Sequence, residues 1–291
     1  MILFVIGCEI SVFFAFISYK LLTYRDFSLA YRTYGTGEEK FLAFHGYGRS
    51  GEDFNIFEIH KNKDWTIFAI DWFFHHPASF YPEGRIAKNS ITKKEVAEMV
   101  SHFLDEQGIE KVGLMSHSMG GKVAMTLVEE IPERISKVLF FAADGIKKNF
   151  WNGFAVNNKM GRFIFKSVVH YPGWVLGLTK ALKNMQLMNE KFYAIITDPL
   201  QSKEQRQQLY KTWTSSKNLV PDLRKFENEL IHNRIELFGF YGVKDKIIRL
   251  KDAEEWAKVF LPQKVIYPLN TGHIILKENL VEDIVSILEQ D

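Results

Sequence analysis

Six short apolar runs, separated by helical patterns, constrain this 291-residue chain more than any other feature. They are Lys40–Gly48, Trp65–Asp71, Lys111–Ser118, Lys137–Asp144, Ile235–Gly242 and Lys264–Asn270. Each is nearly continuous, as strands covered on both faces must be. Between them lie helical stretches. Residues 92–108 open with Thr92 and Glu95 in capping-box spacing and close at Gly108, with Val96, Met99, Val100, Phe103 and Leu104 on one face. Val123, Ala124, Leu127, Val128 and Ile131 repeat at helical spacing until Pro132. Two further helical patterns cover 253–260 and 280–290. Strands alternating with helices predict an α/β fold on a doubly wound, mostly parallel sheet. Phe27–Gly37 alternates in polarity and predicts an antiparallel hairpin at the sheet edge.

The alternation stops between Ile146 and Glu229. That stretch is rich in Phe, Trp, Met and Lys and has helical patches such as 202–213. It reads as a helical insertion after the Lys137–Asp144 strand. Open α/β sheets bind ligands at the carboxyl ends of their strands, and an insertion there would lie over that place. A lid is therefore expected; an ordinary helical subdomain is the plain alternative. The chain then divides into a hydrophobic N-terminal segment at 1–22, a sheet core at 23–145 and 230–291, and a helical cap at 146–229.

Composition narrows the partners. Net charge is +2 and the charges are scattered, with no basic stripe, so nucleic acid is not an expected partner. Cys8 is the single cysteine, which excludes an internal disulfide framework and fits a reducing, cytoplasmic compartment. Residues 2–17 are strongly apolar apart from Glu9, Ser11 and small residues, and lack the positive start of a secretory signal. A spanning helix needs roughly 20 mainly apolar residues, and a carboxylate in lipid is costly. The expectation is a membrane-associating tail over 1–22; the alternatives are a helix lying on the membrane surface or one packed on the insertion. The positive charges follow the segment, so a span would leave the folded domain in the cytoplasm.

The chemistry concentrates in "VGLMSHSMGGKVAMTLVEEIP", Val112 to Pro132. An apolar strand must turn abruptly into a helix at Ser118, with small residues Ser116 and Gly120 two positions away and Gly121 following. Such a turn brings backbone segments very close and lifts the serine hydroxyl above the sheet edge, with a helix N-terminus aimed at it. This is a nucleophile elbow, usually written G-x-S-x-G, with serine in the first small position. "SHSMGG" here, "FHGYG" after an earlier strand and "TGH" near the C-terminus resemble the α/β-hydrolase superfamily from about Tyr24 to the end.

The resemblance implies an α/β-hydrolase fold with a helical cap and a serine nucleophile, Ser118. His273 falls where that family carries its general base, last in the order Ser…Asp…His. Asp245, just after a strand, sits in the loop that commonly carries the acid; Asp144, also at a strand end, is the rival. Asp71 reads as a loop-shaping residue. An oxyanion needs two preorganised N–H donors. Met119, at the helix mouth, offers one, and Tyr47, in the "HGYG" that resembles the family's H-G motif, offers the other. His45 and His117 read as turn packing. His75 and His76 read as parts of a solvated or lid-contacting loop.

No phosphate-binding loop or dinucleotide fingerprint is present, and no His/Cys/Asp cluster has metal spacing. The expected chemistry needs neither cofactor nor metal. The implied activity is a serine hydrolase acting on a carboxylic ester or related acyl bond of a small molecule. The 25 phenylalanines favour an apolar binding cleft, although large hydrophobic cores also use phenylalanine, and the aromatic-rich insertion suggests an apolar substrate. The same triad also serves C–C hydrolysis, thioester cleavage and acyl transfer, and the fold also hosts non-catalytic ligand receptors.

Overall fold

Each of the six apolar runs contains a strand. The computed structural model describes residues 19–58, 64–86, 88–147, 153, 155–156, 158–261 and 265–290. An N-terminal hairpin, β1 (Lys20–Tyr24) and β2 (Phe27–Tyr34), precedes the six: β3 (Glu39–Phe44), β4 (Trp65–Asp71), β5 (Val112–His117), β6 (Ile135–Phe141), β7 (Glu236–Gly242) and β8 (Ile266–Leu269). They form one sheet in the order β1-β2-β4-β3-β5-β6-β7-β8. β2 pairs antiparallel with β1 and β4, and the remaining pairs are parallel. Every residue of β4 and β5 is buried, which is why those runs show no alternation.

The helices α1 (Lys93–Glu106) and α2 (Gly120–Glu130) follow β4 and β5. The capping box at α1 forms as its spacing predicts: Thr92 Oγ1 accepts from Glu95 N–H, and Glu95 accepts from Thr92 N–H. Among the described residues, five helices between β6 and β7 have full bounds: α3 (Lys159–His170), α4 (Gly173–Asn184), α5 (Glu190–Thr197), α6 (Lys203–Ser215) and α7 (Leu223–His232). Two more, α8 (Leu250–Phe260) and α9 (Glu278–Gln290), flank the end of the sheet.

Two elements cross the boundaries expected from the sequence. Lys20 to Leu22 belong to β1, and Leu22 is buried in the core opposite Leu29. The sheet thus begins inside the segment assigned to a tail at 1–22, whose residues 1–18 lie outside the described residues. At the other boundary, α7 straddles position 229. Its Phe226 and Leu230 belong to the main core, while Val156, Phe165, Val169, Leu200 and Leu209 form a separate small cluster within the insertion. Among the described residues no helix is long and apolar enough to cross a membrane.

Candidate active site

β5 ends at His117 and α2 begins at Gly120, so Ser118 and Met119 alone turn the chain. Ser118 has φ 49°, in the left-handed region that non-glycine residues seldom occupy. Such a conformation costs about 1–3 kcal/mol and persists where its surroundings over-determine it. Here Ser118 N–H donates to Phe141 O at 3.2 Å, and Ser118 O accepts from Gly121 N–H at 2.9 Å and Asp144 N–H at 2.8 Å. A Cβ at Gly120 would lie 2.2 Å from Phe44 O, and one at Gly121 2.6 Å from Ala143 Cβ. Glycine at both positions therefore lets α2 start against the ends of β3 and β6.

The loops after β7 and β8 are held side by side. Val243 N–H donates to Leu269 O at 3.0 Å and Lys244 N–H to Thr271 O at 2.9 Å. A Cβ at Gly242 would stand 2.2 Å from Gly272 O. This close approach sets Asp245 beside His273. Asp245 Oδ1 accepts from Ile247 N–H at 2.8 Å and Ile248 N–H at 3.0 Å. Asp245 Oδ2 is 2.8 Å from His273 Nδ1, and His273 Nε2 is 3.0 Å from Ser118 Oγ. The Asp245 carboxylate has no solvent exposure, whereas the His273 side chain is 20% exposed. Asp144, the rival acid, instead pairs with Lys122 Nζ at 2.8 Å.

The loop after β3 is built from buried polar contacts. His45 Nε2 accepts from Trp72 N–H at 3.0 Å, which leaves the ring proton on Nδ1 to donate to Gly46 O at 2.7 Å. Burial lowers the His45 pKa to about 3, so the ring stays neutral. Asp71 shapes the same loop: its Oδ1 accepts from Gly51 N–H at 2.7 Å, and its carboxylate pairs with Arg32. A Cβ at Gly46 would lie 3.1 Å from Ser118 Cβ, so the loop rests directly on the elbow. Among the described residues, neither Tyr47 N–H nor Met119 N–H has a hydrogen-bond partner. The Tyr47 ring packs beside the small cluster of the insertion, and its hydroxyl donates to Gln205 O at 3.4 Å. Burial pushes the Tyr47 phenol up to about 12.

One residue carries more than its sequence reading of turn packing. His117 is buried, and its Nε2 lies 3.2 Å from His273 O. A carbonyl can only accept, so Nε2 carries the proton. Burial, foremost, lowers its pKa to about 4, which keeps it a neutral donor. The signal was present in the sequence: a polar side chain ending a strand covered on both faces needs a partner. His75 contacts the same region through His45 and Tyr47, with ring centroids 4.9 Å and 5.6 Å away. Among the described residues, no group of three or more His, Cys, Asp or Glu is placed to hold a metal ion.

Known proteins share this architecture. The chain is 29% identical over 106 residues to a putative esterase/lipase 2 of Mycoplasma pneumoniae, covering 35% of this chain and 37% of that one. It is 22% identical over 254 residues to the uncharacterized hydrolase YugF of Bacillus subtilis, covering 83% and 86%. The chain spans only about a third of the length of some curated relatives, 36% and 37% in two cases. Among solved structures, a thermophilic esterase from Thermogutta terrifontis superposes with a TM-score of 0.63 at 16% identity, over 94% of this chain and 97% of that one. The family profile for the alpha/beta hydrolase fold matches residues 41–280. The chain belongs to the α/β hydrolase fold family.

Proposed function

We propose that the protein is a serine hydrolase that cleaves a carboxylic ester, or a related acyl bond, of an apolar or lipid-like small molecule. The observation that carries this reading is the unbroken line from Ser118 Oγ to His273 Nε2 at 3.0 Å and from His273 Nδ1 to Asp245 Oδ2 at 2.8 Å. Asp245 accepts from Nδ1–H, which leaves the Nε2 lone pair facing the Ser118 hydroxyl. Ser118 Oγ attacks the carbonyl carbon while Nε2 takes its proton. The developing oxyanion accepts hydrogen bonds from Met119 N–H and Tyr47 N–H. Collapse expels the alcohol, which leaves with the proton from Nε2, and the acyl group stays on Ser118. Water then attacks, again giving its proton to His273, and the carboxylic acid departs as Ser118 is restored.

Two further facts support this reading. The elbow strain at Ser118 is of the kind that clusters at reactive positions. Relatives with esterase or lipase names share parts of the sequence. An apolar substrate fits the insertion, which we read as a cap, since its small cluster of Val156, Phe165, Leu200 and others lies beside Tyr47. The test is turnover of aryl esters of graded acyl length by the parent and by Ser118→Ala. Parent turnover that vanishes in Ser118→Ala supports the assignment; equal rates would remove it.

A further inference from the structure

Among the described residues, exposed apolar side chains gather on the outer face of α3 and α4. Among the described residues eighteen large hydrophobic side chains are exposed, and eight of them fall between Met160 and Leu187. They are not scattered. Met160, Phe163 and Ile164 lie on one face of α3, at helical spacing. Trp174 and Leu178 on α4, with Met185 one residue past its end, form a matching stripe. Trp174 Nε1 donates to Ser167 Oγ at 3.3 Å, and Ser167 lies on the α3 face, so the two stripes are joined. The opposite face of α3 is accounted for: Phe165 and Val169 are buried in the small cluster beside Tyr47.

Charge identifies what this surface meets. Residues 145–189 contain seven Lys or Arg and no Asp or Glu, within a chain whose net charge is only +2. Lys159, Lys166 and Lys180 are exposed on these helices and have no acidic partner among the described residues. Exposed apolar stripes edged by cations, with an indole at the margin, match the boundary between lipid headgroups and acyl chains. A second copy of the chain would bring one basic surface against another, which is unfavourable.

We infer that α3 and α4 form a docking surface for a membrane bearing anionic lipid, with Phe163, Trp174 and Leu178 entering the headgroup region and the lysines facing acidic headgroups. This is a peripheral contact of the folded domain, separate from any role of residues 1–18. It does not depend on the proposed chemistry. It would turn the outside of the insertion toward lipid, with the loop that carries Tyr47 on its inner side.

The experiment is co-sedimentation of the full chain with vesicles of phosphatidylcholine, with and without phosphatidylglycerol. Anionic vesicles are expected to retain the protein at least about tenfold better than neutral ones, and salt should weaken the binding. The triple variant Lys159→Glu, Lys166→Glu, Lys180→Glu should lower retention on anionic vesicles at least about tenfold. Phe163→Ser with Trp174→Ser and Leu178→Ser should lower it similarly. Thermal melts of both variants, matched to the parent, show that the fold is intact. Retention unchanged in both variants would place any membrane contact elsewhere, such as residues 1–18, and overturn the inference. Equal binding to neutral and anionic vesicles would overturn it too. So would light scattering that shows a parent dimer dissociated by the Phe163, Trp174 and Leu178 changes, since the face would then join two copies.

Discussion

Buried His117 donates Nε2–H to the backbone carbonyl of His273 over 3.2 Å, so one imidazole from the elbow strand fixes the backbone that carries the other. The two rings sit 5.2 Å apart. Ser118 is covalently next to His117, so this bond couples the position of the serine to that of its hydrogen-bond partner. Nothing in the proposed reaction asks His117 to touch substrate, so its role there would be one of positioning.

His117→Phe removes that donor while keeping a ring of similar bulk. The kcat for an aryl ester is expected to fall by up to about a hundredfold, the scale of a misplacement near 1 Å, with KM little changed. His117→Gln keeps an N–H donor and should recover part of the loss. Stopped-time ester assays beside thermal melts check this; a His117→Phe enzyme with parental kcat would make the bond irrelevant to turnover.

His45 and His117 also give the fold a pH limit. Both are held neutral in the folded state, with pKa values lowered to about 3 and about 4 by burial. In the unfolded chain each titrates near 6.5. Below that value the unfolded state binds more protons, so stability falls as pH drops from about 6.5 toward 4 and is unaffected by these groups at higher pH. Over this window the loss is at most on the order of 3 kcal/mol per imidazole. Urea unfolding across this range should show the decline, and His117→Phe should show a shallower one. A parental stability that stays flat down to pH 4 would contradict the assignment of both rings as buried and neutral.

The acid can be tested apart from the rest. Asp245→Asn should cost roughly three to four decades in rate, as expected when the carboxylate that orients a catalytic imidazole is lost. Asp144→Asn should cost little, because its carboxylate faces Lys122 rather than His273. Initial rates for the two variants decide between them, and a reversed order would move the acid to the β6 end.

Much of this was legible because strong local rules agreed. The continuous apolar runs became strands, with β4 and β5 buried at every residue, and Thr92 with Glu95 marked the start of α1 to the residue. Ser118, flanked by Ser116 and Gly120, could be read because a tight strand-to-helix turn leaves no room for larger neighbours. Assigning His273 and Asp245 needed the family resemblance, since loop residues brought together across 28 positions leave no periodic trace. β1 was hidden because Lys20–Tyr24 continues directly from an apolar segment, and only pairing with β2 separates the two. α7 has one apolar face like its predecessors, but that face packs on the main core through Phe226 and Leu230.

Gly242 is expected to be among the least replaceable glycines. A Cβ there would stand 2.2 Å from Gly272 O and 2.6 Å from Thr271 O, both backbone atoms that cannot swing aside. Gly242→Ala should destabilise the fold by about 1–3 kcal/mol, the usual cost of forcing extra volume into a packed site, and should also displace His273. Activity should therefore fall further than the loss of folded protein explains. Chemical denaturation paired with ester rates separates the two effects, and a variant as stable and active as the parent would show that the loops have slack.

An activated Ser118 reacts with a fluorophosphonate probe, which labels only a nucleophilic serine. One covalent adduct per chain is expected, located by mass spectrometry on the peptide holding Ser118, and abolished in Ser118→Ala and in His273→Ala although both variants stay folded. A folded parent protein that remains unlabelled, or an adduct that persists in Ser118→Ala, would contradict it.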